Sequence, residues 1–243
     1  MKPVPALEKG LRIIEYFTNM SEPKTMTQIA KGLGYSVSEI QRTLEHLLHS
    51  SYLIKNKVGA YYLSSKLFRI ANQNKPHKHL LLNSIAPMER FSEKTGESVH
   101  ISVLVDYQVS VIGQTEGLGI SRLILRLGTY PAHKSTSGIL LLSKKENLNF
   151  DMLNLRSTKK KVFLKEQIQK IQEQGYGFNK SYYTVGVYDL AVPVELKGIG
   201  TIAALATSFL LSVDTENINN LVDEYVESLF KIANEIANNF EKQ

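Results

Sequence analysis

Two helix starts set close together constrain this chain more than any other feature. Thr25 with Gln28, and again Ser36 with Glu39, have the spacing of a capping box. In that arrangement the hydroxyl and the longer polar side chain satisfy backbone N–H groups that open a helix. The first helix carries Ile29, Ala30 and Leu33 on one side and stops at Gly34, so only Gly34 and Tyr35 precede the second start at Ser36. The second turns Ile40, Leu44, Leu47 and Leu48 inward and Gln41, Arg42, Glu45, His46 and His49 outward. Two short helices joined by a tight turn containing glycine make a helix-turn-helix.

The flanks extend that unit. Ala6–Thr18 places Leu7, Leu11, Ile14 and Phe17 at helical spacing, and Ser21-Glu22-Pro23 ends the run. Tyr52–Ile54 and Tyr61–Leu63 read as strands on either side of the basic turn Lys55–Ala60. Helix, helix, recognition helix and hairpin, in this order, predict a winged helix-turn-helix over residues 1–63.

Charge separates along the same line. Residues 1–75 hold eleven Lys and Arg against five Asp and Glu, whereas the remaining chain holds 18 of each sign. The whole excess of +6 therefore sits in the first third, as a phosphate-binding module joined to a neutral one would show, and as ordinary surface lysines unevenly spread would also show. A recognition helix offers its N-terminal side chains to base edges in the major groove. Here these are Ser36, Val37, Ser38, Gln41 and Arg42. Arg42 can pair bidentately with guanine and Gln41 with adenine. Glu39 is assigned to its cap, and Lys55 and Lys57 on the wing suit phosphate or minor-groove contacts, or form an ordinary solvated turn.

Ser64 or Ser65 opens a further helix with Leu67, Phe68, Ile70 and Ala71, and the polar stretch 72–79 marks a junction. A helical pattern follows from Leu80 to Lys94, where Pro87 predicts a bend. Beyond Gly96 the period changes to two. Strands are expected at Val99–Val103, Gln108–Gln114, Leu123–Leu127, Tyr176–Lys180, Tyr188–Val194 and Ile199–Thr207, and helices at Ser135–Ser143, Leu164–Gln174 and Thr215–Glu241. The second domain, residues 80–243, is thus an antiparallel sheet flanked by helices, and the chain as a whole is α+β.

Several function classes recede. The chain has no cysteine, so disulfides, thiolate metal sites and cysteine nucleophiles are excluded. His77, His79, His100 and His133 lack the spacing of a metal site, and no metal or cofactor is expected. His133, Ser135 and Ser137 are neighbours, but no Gly-x-Ser-x-Gly elbow surrounds them, so an enzyme is not expected. The longest apolar stretch, Ile199–Leu211, is too short and polar to cross a bilayer, and nothing at the N-terminus reads as a signal peptide. A cytoplasmic protein without a membrane partner is expected.

Over nearly its whole length the sequence resembles the IclR family of bacterial transcriptional regulators. The segments that carry the resemblance are VPALEKGLRIIEYF (4–17), MTQIAKGLGYSVSEIQRTLEHL (26–47), YLSSKLFRIA (62–71), EKTGESVHISVL (93–104), YPAHKSTSGILLLS (130–143) and GYGFNKSYYTVGVYDLAVPV (175–194). The resemblance implies a dimerising winged helix at 1–63, a linker helix and junction at 64–79, and a GAF-like effector-binding domain at 80–243. It further implies operator DNA as partner, a small-molecule effector, and a homodimer or homotetramer. By position it assigns the effector pocket to Ser135, Thr136, Ser137, Asn179, Asp189, Ala206 and Ser208, with Leu123, Leu125 and Leu127 as apolar walls. His100 also stands where the family has histidine, in a core or pocket-wall position. Asp189 stands where the family usually has cysteine, and Asn179 where it has an acidic residue. An ionised Asp189 disfavours a small carboxylate ligand and favours an amine, hydroxyl-rich or cationic one. Pairing with a nearby Arg or Lys, or a strand-end position without ligand contact, removes that inference. The competing function is a non-catalytic ligand-binding or oligomerisation protein whose winged helix contacts other proteins.

Overall fold

Local capping decides where the first helices begin. In the computed structural model, which describes residues 4–17, 20, 22–73, 75–119, 123, 126–210 and 215–242, both capping boxes form. Helix α1 (Pro5–Tyr16) opens on a proline, whose missing N–H costs nothing in a first turn. Helix α2 (Met26–Leu33) is capped by Thr25: the Thr25 N–H donates to Gln28 Oε1 at 2.8 Å, and the Gln28 N–H returns to Thr25 Oγ1 at 3.3 Å. Gly34 ends it with φ +73°, a left-handed turn that glycine adopts without a Cβ penalty. Two residues later Ser36 and Glu39 repeat the exchange and open α3 (Val37–His49).

The three helices close on Ile13, Phe17, Ile29, Ile40 and Leu44. Strands β1 (Leu53–Lys55) and β2 (Tyr61–Leu63) form the antiparallel wing, and the backbone of Lys24 adds a third rung against Tyr61. Helix α4 (Lys66–Gln73) completes the unit Met1–Lys75.

The second unit, Pro76–Gln243, is built on one six-stranded sheet. Its elements are α5 (Lys75–Thr95), β3 (Val99–Val105), β4 (Gln108–Thr115), β5 (Gly128–Pro131), α6 (Thr136–Ser143), α7 (Thr158–Gln174), β6 (Gly177–Lys180), β7 (Val187–Leu196), β8 (Gly200–Leu210) and α8 (Thr215–Glu241). The order across the sheet is β5-β4-β3-β8-β7-β6, and every neighbouring pair is antiparallel. Alternation along the strands sorts two cores. Leu190, Val192 and Leu205 face α5 and α8, while Ala191, Ala204 and Ala206 face α6 and α7. Alanines on the second face leave room for α6, whose eight residues are all buried.

Three expectations differ from the structure. The helix expected from Leu80 starts at Lys75 and runs unbroken through Pro87, so the polar junction is largely helical. The helix expected from Leu164 starts at Thr158, and its first turn, with Lys159, Lys160 and Lys161, carries no apolar residue to mark it in the sequence. Of the strand expected at Leu123–Leu127, the described residues Leu123, Arg126 and Leu127 lie outside any strand. The edge strand is instead β5, which pairs Tyr130 with Val109 and Gly128 with Val111.

Candidate functional site

In the first unit, burying Ile40, Leu44 and Leu47 turns the opposite side of α3 to solvent. Ser36, Val37, Ser38, Gln41 and Arg42 are all exposed there. Glu39 is occupied by its cap. It accepts from the Ser36 N–H at 2.7 Å and from the Ser36 hydroxyl at 2.6 Å, which hold its carboxyl below the usual range. Gln41 Nε2 donates to Glu45 Oε1 at 3.1 Å, one turn along the same helix. Arg42 borders an open groove between α3 and α1 together with Lys9 and His46.

The wing presents Lys55 and Lys57 on an exposed turn. Asn56, between them, fixes the turn from inside: its side-chain oxygen accepts from the N–H groups of Val58 at 3.1 Å and Ala60 at 2.8 Å. Sequence reasoning passed over Asn56, although asparagine hydrogen-bonding the backbone two residues on is a turn signal.

In the second unit, register assembles a pocket. Asn179 lies opposite Asp189, Asp189 opposite Ser208, and two residues along β8 Ala206 lies opposite His100. Partners in register share a face of the sheet, and this face is the one covered by α6. The start of α6 is held close by Gly138, where a Cβ would come within 2.3 Å of the Ala132 carbonyl oxygen. The Ser135 hydroxyl caps the helix by accepting from the Gly138 N–H at 3.1 Å.

Between these parts lies a cavity of about 90 Å³ lined by His100, Leu123, Ser135, Thr136, Ser137, Asp189, Ala206 and Ser208. The β6–β7 loop adds Ser181, Tyr183 and Thr184. An adjoining cavity of about 370 Å³ shares Ser135, Thr136 and Asp189, and is bordered by Asn179, Lys134, Lys170 and Lys180.

Burial dominates the electrostatics. His100 is 8% exposed, its Nε2 has no partner among the described residues, and desolvation lowers its pKa to about 4, so the ring is neutral at neutral pH. Burial pushes the Asp189 carboxyl above the usual range, opposed by hydrogen bonds from the Ser208 hydroxyl at 2.7 Å and from Ser181. Asn179 Nδ2 is buried without a partner among the described residues. At the mouth, burial with Lys134 and Lys160 nearby lowers the pKa of His133.

The expected pocket residues thus divide. Leu123, Ser135, Thr136, Ser137, Asp189, Ala206 and Ser208 meet at one cavity, and Asn179 borders the next. Leu125 lies outside the described residues. Leu127 is not brought to the site: it is 61% exposed, one residue before β5, and borders none of the described cavities. The alternating leucines that placed it on a strand belong to the segment before the strand. The loop residues Ser181, Tyr183 and Thr184 went unassigned in the sequence, where only a polar, aromatic break between two strands marks them.

Comparison with known proteins agrees with this architecture. The family description "Bacterial transcriptional regulator IclR C-terminal" matches residues 77–238, and "IclR helix-turn-helix domain" matches residues 6–56. The chain belongs to the IclR family. Among curated IclR-type relatives, the transcriptional regulator XynR of Escherichia coli is 25% identical over 92% of this chain and 94% of its own. The transcriptional repressor IclR of the same organism is 22% identical over 96% and 89%. An IclR homologue from Microbacterium hydrocarbonoxydans, crystallised with 4-hydroxybenzoate, has the same fold, with a TM-score of 0.72, 21% identity and coverage of 98% of this chain and 100% of that one. As an IclR-family member the chain is a transcriptional regulator with a helix-turn-helix DNA-binding domain and a C-terminal ligand-binding domain. No helix among the described residues is long and apolar enough to cross a membrane.

Proposed function

We propose that residues 1–63 read operator DNA, that 64–79 link, and that 80–243 bind a small-molecule effector which alters operator affinity. The observation that carries this reading is the exposed face of α3 beside a basic wing, in the segment that holds the chain's entire positive excess. Arg42 and Gln41 contact base edges in the major groove, Ser36, Val37 and Ser38 approach the backbone and adjacent bases, and Lys55 and Lys57 contact phosphate. The effector occupies the cavity of Ser135, Thr136, Ser137, Asp189, Ala206 and Ser208, with Leu123 as its apolar wall and Asn179 at its edge. The protein acts without catalysis, as a cytoplasmic homodimer or homotetramer. Relatives named as regulators, and one crystallised with a small aromatic acid, support this assignment.

A mobility-shift assay on DNA upstream of its own gene tests the reading. A sharp complex is expected, which Arg42→Ala weakens by about 1–3 kcal/mol with relaxed sequence preference. Affinity also falls steeply with salt, by a log–log slope of about −0.9 per phosphate contacted. Absence of a shift at any salt concentration defeats the proposal in favour of a winged helix that contacts proteins.

A further inference from the structure

We infer that the cavity between α6 and the sheet takes a small zwitterion, a protonated amine carrying a carboxylate, of the size of a short α-amino acid. This rests on the cavity being the effector site and adds the chemical class of what it holds.

The first argument is charge. Among the described residues that line the cavity, Asp189 alone has an ionisable carboxyl and none is a lysine or arginine. Lys134, Lys170 and Lys180 border the adjoining cavity, yet what acts on the Asp189 carboxyl is burial, opposed by the hydroxyls of Ser208 and Ser181. A carboxylate withdrawn from water without a counter-charge is costly. A protonated amine supplies that charge, whereas a plain anionic ligand adds a second negative one.

The opposite wall has the reverse polarity. Helix α6 starts at Thr136, and the first N–H groups of a helix have no acceptor within it. Ser135 caps the N–H of Gly138, the residue after Ser137. The N–H groups of Thr136 and Ser137, at the positive end of the helix dipole, therefore favour an anionic group.

A third group completes the site. His100 lines the cavity, is buried, and leaves Nε2 without a partner among the described residues. A buried polar atom of this kind calls for a partner from outside the chain, and a hydroxyl or amine N–H on the ligand provides one. Size then limits the choice. At roughly 10–15 Å³ per water-sized group, the 90 Å³ cavity admits about six to nine non-hydrogen atoms, the range of alanine, serine and threonine.

Matched pairs test this on the full chain by thermal shift and calorimetry: L-serine against L-glycerate, L-alanine against L-lactate, and ethanolamine as the amine without a carboxylate. An amino acid is expected to bind, with its hydroxy acid and ethanolamine at least about tenfold weaker. Asp189→Asn, a substitution of nearly equal volume, is expected to lower amino-acid affinity about 10–100-fold. A hydroxy acid that binds as tightly as its amino acid, with Ser208→Ala weakening it, overturns the zwitterion while keeping the cavity as effector site. Amino-acid binding that survives both Asp189→Asn and Ser208→Ala overturns the cavity reading itself. Failure of every amino acid in the panel to bind overturns the zwitterion.

Discussion

Glu39 and Asp189 each accept a hydrogen bond from a serine hydroxyl, at 2.6 and 2.7 Å, yet the two halves of the molecule use them in opposite ways. Glu39 sits in solvent, its serine is its neighbour in sequence, and its carboxyl is held below the usual range. Asp189 is partly withdrawn from water between β6 and β8, with its serine 19 residues away on β8, and burial raises its carboxyl despite the serines. In the first unit polar side chains complete one another and leave Arg42, Lys55 and Lys57 outward. In the second they are buried incompletely satisfied, as at His100 Nε2 and Asn179 Nδ2. Self-sufficient polar groups build a rigid surface for reading a partner; unsatisfied buried ones build a receptacle.

Acid should break this contrast most strongly. The His100 pKa falls from 6.5 to about 4 in the folded state. The unfolded chain therefore takes up the proton first: stability is full above about pH 6.5 and declines as pH falls toward 4, by about 3 kcal/mol. Asp189 acts in the opposite sense, since its raised pKa makes ionisation a penalty that acidification relieves. Urea titrations at pH 7 and pH 4.5 are expected to show a pH-dependent loss that His100→Gln flattens. An unchanged pH slope in that variant removes His100 from the account.

Removing a cap sharpens the other side of the comparison. Ser36→Ala should cost about 1 kcal/mol, read as earlier unfolding of the first unit by hydrogen exchange of α3 amides. Amides of β7 and β8 should keep their protection, and equal loss in both units would contradict the local character of the cap. The smallest effect is expected at the wing. Lys57→Ala should leave stability within about 0.5 kcal/mol and reduce the salt slope of DNA binding by about 1.

What the sequence disclosed follows the same division. Helices α2 and α3 were legible because their starts, stops and inward residues are written within a few positions of one another. The pocket was legible only in part, because its walls come from β3, α6, the β6–β7 loop, β7 and β8, which only the sheet's register unites. The opening of α7 escaped because Lys159, Lys160 and Lys161 leave no apolar period in its first turn. The edge strand escaped because Thr129 and Tyr130 form it, while Leu127, which reads as strand, lies just before it. The burial of Asp189 had no local sign at all.

Asn56 carries a consequence for the speed and selectivity of DNA capture. By bonding the N–H groups of Val58 and Ala60, it sets the shape of the wing while the protein is free. The entropy lost in ordering that turn then falls on folding and not on association. On the proposed reading, Lys55 and Lys57 would reach a phosphate backbone already spaced, so an encounter in the right orientation would become a complex without a search through loop conformations.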